Sequence, residues 1–346
     1  MGRILLMEKI GFTYNQKRIV PGGEPGSDRE AEFDPPSTLE AVRTALRELG
    51  YEVVDLEATP ELPAKLLEAK VDMVFNIAEG IRGRYRESQV PALLELLNIE
   101  HTGSDAAALG VTLDKGLAKR VVSAEGVATP QFFPMMTGRE KLPAGFPFPA
   151  IAKPIAEGSS KGVTPKSVVG SEAELREAVR RQLEQYRQPI LVETYLPGRE
   201  FTVALLGHRR PRILPPMEIL FGESAGHLPV YAFEHKQAAG DYIRYAAPAD
   251  IDAGLKRKLE LASGRAFKAL GCRDVARMDF RLDAVGVPNF IECNPLPGLT
   301  PGWSDLCMIA ESAGLGYTAL IAEILAPGLR RLKERRRVRA EVSDVV

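Results

Sequence analysis

Apolar positions in the first third of the chain follow two alternating periods. Leu39, Val42, Leu46 and Leu49 recur at the spacing of one helical stripe. Ser37 or Thr38 stands where that helix needs a cap, and Gly50 where it has to end. Ile4–Met7, Glu52–Leu56 and Val71–Ile77 read as short strands, and Pro91–Leu97 as a second helix. Strands alternating with helices predict a parallel, doubly wound α/β sheet. Between the first strand and the first helix lies a long connection, roughly Gly11–Pro36, rich in Pro and Gly. Connections longer than about 15 residues are uncommon and often functional. This one reads as a surface excursion or as a lid or subunit contact.

The pattern changes near Thr102–Asp105. Helices are predicted over Asp114–Ala124, Ser171–Gln188 and Asp250–Leu270, the second opening on a capping box, Ser171-x-x-Glu174. Strands are predicted at Ala150–Lys153, Ile190–Glu193, Glu200–Leu206, Ala276–Leu282 and Asn289–Glu292. This second block is α+β rather than a continuation of the first sheet, and no internal repeat is visible.

Composition narrows the class. The chain has 346 residues, 45% hydrophobic and 26% charged, as in folded enzymes of two or three domains. No stretch approaches the roughly 20 apolar residues that cross a bilayer, and MGRILLMEKI is too short for a signal peptide. Cys272, Cys293 and Cys307 are too few for a disulfide framework, so a reducing cytoplasm is expected. The four histidines show no metal-ligand spacing. A net charge of −1 gives no bulk attraction for nucleic acid. The basic run RRLKERRRVRA at 330–340 reads as a solvated, frayed helix end, with an RNA- or membrane-surface arm as the alternative.

Three segments carry candidate chemistry. EGSSKGV at 157–163 follows a strand ending in Lys153-Pro154; its glycines admit a ligand close to the backbone, and its amides can form an anion nest. Arg277 and Asp279 share one face of a strand, and Glu292 and Asn294 one face of the next, because side chains two apart point the same way. If the two strands are neighbours, an Asp, a Glu and an Asn converge as hard oxygen ligands for Mg²⁺, with Arg277 placed to neutralise a phosphoryl group. The alternative is a solvated charged sheet face. VETYLPGREFTV at 192–203 reads as strand, turn and strand, with Glu193 and Glu200 flanking Pro197-Gly198.

In order, TGSDAAALGVTLDKGLAK, IAKPIAEGSSKGV, LVETYLPGREFTVALLG, RMDFRLD and IECNPLPGLTP resemble the D-alanine–D-alanine ligases of the ATP-grasp superfamily. The likeness covers roughly residues 100–327. It implies an N-terminal α/β domain over 1–104, ATP-grasp subdomains over 105–198 and 199–328, and a basic tail over 329–346. It also implies an ADP-forming ligation: a carboxylate takes the γ-phosphoryl of ATP, and an amine attacks the acyl phosphate. The resemblance casts Lys115, Lys153 and Lys236 as nucleotide lysines, and Ser159 and Ser160 as part of the phosphate-covering loop. Glu193, Tyr195 and Leu196 take the adenine hinge, and Glu200 the ribose contact. Asp279, Glu292 and Asn294 become magnesium ligands, two Mg²⁺ ions or Mn²⁺ being the metals implied. Arg277, Ser159 and Gly298 become the groups around the reacting centre. A homodimer acting on small-molecule amino acids is the family habit.

The substrate side departs from that pattern. The family's Gly-Gly-x-Ser-x-Glu segment is here GFTYNQKRIVPGG, without the Glu, and its His-Gly segment is NIAEGIRGRYRESQ. Gln237 stands where a Tyr usually follows the Lys236 position. Glu79 or Glu87 is therefore expected to meet a substrate ammonium, and Arg82 or Arg86 a substrate carboxylate. Trp303 and Ser304 are expected at the second substrate. A surface ion-pair network is the alternative for Arg82, Arg86 and Glu87. A non-catalytic ATP-binding sensor or scaffold is the competing function, as is a ligase for a specialised metabolite. Retention of Arg277, Asp279, Glu292 and Asn294 together favours an enzyme.

Overall fold

The computed structural model describes residues 8–19, 30–158, 160–222, 228–231 and 242–343. Its first sheet is parallel, with strand order β2-β1-β3-β4: β1 (Lys9–Tyr14), β2 (Glu52–Glu57), β3 (Met73–Asn76) and β4 (Glu100–His101). The strand expected at Ile4–Met7 lies outside the described residues. The described β1 uses residues assigned above to the long connection. Its alternation is plain once seen: Ile10, Phe12 and Tyr14 are buried together in one core. Gly11 faces the other side, where a Cβ would meet Leu56 Cδ1 at 2.8 Å.

Helix α1 (Pro36–Glu48) buries Leu39, Val42 and Leu46 as its stripe requires. Neither Ser37 nor Thr38 caps it; Pro35 takes the cap position without a side-chain bond. The Thr38 hydroxyl instead lies 2.7 Å from that of Thr300. Helices α2 (Leu62–Ala69) and α3 (Gln89–Leu96) cover the opposite face of the sheet. Two helices then run in succession, α4 (Ala106–Leu113) and α5 (Lys115–Ala124); Asp105 and Asp114 cap them by accepting from the amides of Ala108 and Leu117. Periodicity predicted only α5.

The second sheet is antiparallel, ordered β5-β8-β6-β7: β5 (Phe132–Met135), β6 (Ala150–Pro154), β7 (Val168–Val169) and β8 (Ile190–Thr194). Helix α6 (Glu172–Tyr186) packs on it; the Ser171 hydroxyl caps it by accepting from the Glu174 amide, while the Glu174 carboxylate accepts from the Gly170 amide rather than closing the box on Ser171. The third sheet comprises β9 (Glu200–Gly207), β10 (Arg212–Ile213), β11 (Met217–Phe221), β12 (Ile243–Ala246), β13 (Asp274–Leu282) and β14 (Pro288–Asn294). Its main order is β12-β11-β9-β13-β14, with β10 paired to β9. Helix α7 (Ala253–Ala269) covers one face. The turn between β8 and β9 joins two sheets rather than two strands of one. It needs Gly198, whose amide donates to Leu282 O at 3.0 Å and where a Cβ would lie 2.5 Å from that oxygen.

Helices α8 (Asp305–Ser312) and α9 (Tyr317–Ser343) end the described chain. Helix α9 runs through the expected boundary at 328; Arg330, Lys333, Arg336 and Arg337 are exposed as a solvated run requires, but three arginines of the run are paired with acids of the rest of the chain. Arg331 donates to both carboxylate oxygens of Asp274 at 2.7 Å and from Nε to Glu100 at 2.7 Å. Arg335 pairs with Glu100 and Arg336 with Asp72. A buried Asp274 needs such a partner, because an unpaired interior charge is costly. Among the described residues no single helix is long and apolar enough to cross a membrane.

Candidate active site

Strands β13 and β14 are neighbours, and their register sets the centre of the site. Arg277 stands opposite Asn294 and Asp279 opposite Glu292, with the register shifting after Asp279. The Arg277 guanidinium donates to Asp279 from Nε at 3.1 Å and from Nη2 at 2.9 Å. Its Nη1 lies 3.1 Å from Asp305 Oδ2. Asp279 also accepts from the Thr202 hydroxyl. Asn294 Oδ1 accepts from the Leu296 amide at 3.0 Å and so fixes the start of the PLPG turn. Burial pushes the Glu292 carboxyl up, but Lys115, Lys153 and Arg277 more than offset it and hold it well below the usual range. Asp279 ends above its usual value, because burial outweighs Arg277.

One end of this strand pair opens into a cleft between the second and third sheets. Lys153 Nζ lies 2.9 Å from Glu193 Oε2, and Lys115 Nζ 3.1 Å from Glu292 Oε2. Lys115 also donates to Glu157 O at 2.5 Å, next to the Gly/Ser loop. Lys119, fully buried, reaches Glu193 Oε1 at 3.1 Å and Phe290 O at 2.9 Å. Burial alone raises Glu193, yet the two lysines together hold it below the usual range. Arg281 pairs with Glu200 at 3.2 Å and donates to the Tyr195 hydroxyl at 2.8 Å. Burial pushes Glu200 up to about 6 against that guanidinium. Ile151, Val163, Leu196, Val230 and Ile291 give the cleft an apolar wall, and Ser160, with φ +58°, lies on its rim. Ser159 and Lys236 lie outside the described residues.

The chemistry of this donor set fits a nucleoside polyphosphate with a hard divalent cation. The apolar wall suits a base, and the lysines supply charge for phosphates. Carboxylate and amide oxygens at the far end are the ligands Mg²⁺ takes.

The other end opens into a cavity of about 350 Å³ against the first sheet. Arg277, Asn294 and Gly298 line it from one side and Asp34, Glu79 and Lys17 from the other. Ser304 lies beneath Gly298: its hydroxyl accepts from the Thr300 amide at 3.0 Å, and a Cβ on Gly298 would come within 2.8 Å of it. Trp303 stands at the mouth, 53% exposed.

Three of the expected substrate residues do not line it. Arg82 is exposed and lines a different surface groove. Arg86 is buried, with Nη2 on Glu32 at 2.5 and 2.7 Å and Nη1 on Ala156 O at 3.0 Å. Its donors are taken by protein oxygens, so it ties the first domain to the Gly/Ser loop instead of gripping a substrate. Glu87 sits behind the cavity wall with carboxylate oxygens of Glu32 and Glu79 within 4.8 Å. Burial, then Glu32, pushes Glu87 up to about 8.

The far end of the first connection carries a carboxylate that is already engaged. Glu32 accepts from the Gly158 amide at 2.6 Å as well as from Arg86. Glu32, Asp34, Lys119, Arg281 and Asp305 stand in or beside the candidate site and were not singled out by the sequence reading. For Lys119 a signal existed: it is four residues after Lys115 and so shares its helix face. Asp305 follows Ser304 directly.

A family model described as D-ala D-ala ligase C-terminus matches residues 122–326. An uncharacterized protein of Sinorhizobium fredii is 37% identical over 337 residues, covering 95% of this chain and 97% of its own. A D-alanine–D-alanine ligase of Aquifex aeolicus is 38% identical over 309 residues, covering 89% and 99%. The crystal structure of D-alanine–D-alanine ligase from Bacillus anthracis superposes with a TM-score of 0.71 at 26% identity, covering 95% of this chain and 99% of that one.

Proposed function

We propose that this chain, which belongs to the D-alanine–D-alanine ligase family and is an ATP-dependent ligase, joins two amino acids or amino-acid-like substrates through an acyl phosphate. The observation that carries this reading is the β13–β14 register. It puts Asp279 and Glu292 on the wall of the nucleotide cleft and Arg277 and Asn294 on the wall of the second cavity, so both ligand spaces meet at one strand pair. A substrate carboxylate oxygen attacks the γ-phosphorus and ADP leaves. The amine nitrogen of the second substrate then attacks the acyl carbon, phosphate leaves, and the amine proton is lost.

In this reading the protein contributes positioning and charge neutralisation. Lys115 and Lys153 exchange a carboxylate partner for a phosphate, and Glu193, Tyr195, Leu196 and Glu200 hold the nucleoside. Asp279, Glu292 and Asn294 would hold Mg²⁺, one ion or two, whose chemistry is to neutralise the phosphates. Arg277, held on two carboxylates, presents a fixed cation to the reacting centre. Gly298 leaves that centre open by carrying no side chain. A homodimer in the cytoplasm is the setting the family suggests. The test is ADP release from Mg²⁺-ATP across paired D- and L-amino acids, with product mass determined, starting from the D-alanine for which the relatives are named. Amino-acid-dependent ADP with a ligated product is the expected result. ATP binding with no ADP release for any pair indicates a sensor or scaffold instead.

A further inference from the structure

The cavity beside the reacting centre gathers more carboxyl groups than two simple amino acids can use. Arg86 is matched by Glu32, and Arg277 by Asp279 and Asp305. What remains among the described residues is Lys17 against Asp34, Glu79 and Glu87. The Lys17 ammonium is spent on the Ala31 carbonyl at 3.2 Å. The Glu87 side chain is the clearest sign of a missing partner. It is only 7% exposed, makes no hydrogen bond or ion pair among the described residues, and lies within 4.8 Å of carboxylate oxygens of Glu32 and Glu79. Asp34 and Glu79 are likewise without a cation in bonding range and line the cavity itself.

Charge counting then limits the ligand. Two zwitterionic amino acids bring two ammonium groups and two carboxylates, with no net charge. The reaction consumes one of those ammoniums, because the attacking amine has to be neutral. A single remaining α-ammonium meets one carboxylate, and the others can ionise only when a further cation reaches them, because an unmatched buried charge is costly. The lining also holds Tyr231, Tyr245 and Trp303, whose ring faces suit a cation.

We propose that one of the two substrates is a basic amino acid, whose side-chain ammonium or guanidinium is held by Asp34 and Glu79 with Glu87 behind them. This rests on the ligase reading and names its substrate class. The raised Glu79 and Glu87 carboxyls are consistent with a site that waits for a cation, since burial and mutual repulsion favour their neutral forms until one arrives.

The experiment uses the full chain with saturating Mg²⁺-ATP and measures ADP release. Lysine, ornithine and arginine, in both chiralities, are compared with alanine and serine, alone and in pairs. Norleucine and N6-acetyl-lysine keep the chain length and remove the charge. The expected result is a kcat/KM at least about tenfold higher with a basic substrate than with alanine or norleucine. Glu79→Gln and Asp34→Asn should each raise the KM for that substrate about tenfold and leave the KM for ATP within about twofold. The norleucine comparison needs no variant and stands if a variant fails to fold. Alanine or norleucine used as well as lysine overturns the inference and leaves the ligase reading intact. No ADP with any substrate removes the ligase reading and the inference with it.

Discussion

Between the second and third sheets, cations and carboxylates are matched pair by pair: Lys115 with Glu292, Lys153 and Lys119 with Glu193, Arg281 with Glu200. In the cavity against the first sheet they are not, and Asp34, Glu79 and Glu87 outnumber the cations left to them. The two regions meet at Arg277 and are built from one chain, yet they prepare for a ligand in opposite ways. On the proposed reading, matched charges hold the nucleotide-facing groups in place beforehand, and an incoming phosphate competes for lysines already aimed at it. Unmatched carboxyls leave the second region to be completed by a ligand's charge. The same reading puts selectivity in the second region and general phosphoryl chemistry in the first.

The sharpest way to break this comparison is at the centre that both regions share. On the proposed reading, Asp279→Asn and Glu292→Gln each remove a charge that the metal would need. Turnover should fall by at least about 10²-fold in each, the scale of losing one electrostatic stabiliser. Near-normal ADP release in both variants ends the assignment of these groups as metal ligands.

A smaller effect is expected one step out along the matched region. Lys153→Ala should weaken ATP binding roughly ten- to a hundredfold, the worth of about 1.5–3 kcal/mol for a charge-assisted contact. Titration calorimetry that returns the same ATP affinity places Lys153 outside the nucleotide site.

The smallest effect sharpens the unmatched side. Glu87 is pushed up to about 8 from an ordinary 4.5 by burial and then by Glu32. A folded-state value above the unfolded one stabilises the protein fully at pH below the unfolded value, and that contribution is lost as pH rises through the folded value. Tm should therefore decline from about pH 5 to about pH 8.5 more steeply in the native chain than in Glu87→Gln, whose amide stays neutral. Parallel Tm profiles for the two proteins place the titration elsewhere.

The matched region was the legible one. Alternation alone put Arg277 with Asp279 and Glu292 with Asn294, and the strand register then joined the two pairs. Helix α1 was legible from its stripe, and α6 from its stripe and cap. The described strand β1 was not read because ILLM is more apolar than KIGFTY, although Ile10, Phe12 and Tyr14 alternate. Helix α4 was missed because apolar residues surround it and leave little stripe to read. Glu32 and Asp34 were missed for a different reason. They sit in a connection with no periodicity, and only long-range contacts, such as Glu32 with the Gly158 amide, reveal their place. Arg86 was misassigned because one sequence cannot show that a distant glutamate already occupies it. The end of the chain misled through composition: a run of arginines looks solvated until Asp274, Glu100 and Asp72 are brought beside it.

Helix α9 has a bearing on how the protein is made. Ile10, Phe12, Met73 and Phe75 of the first sheet share one core with Leu320, Ile321, Ile324 and Leu325 of that helix. The contact is close: a Cβ on Gly328 would come within 2.7 Å of Met73 Cε. Synthesis runs from the N-terminus, so the first-sheet face that helix α1 covers in part stays open on its α9 side until residues 317–325 have been made. A chain truncated shortly before residue 317 holds most of the candidate site and an incompletely covered first-sheet core, a ready target for chaperones and proteases.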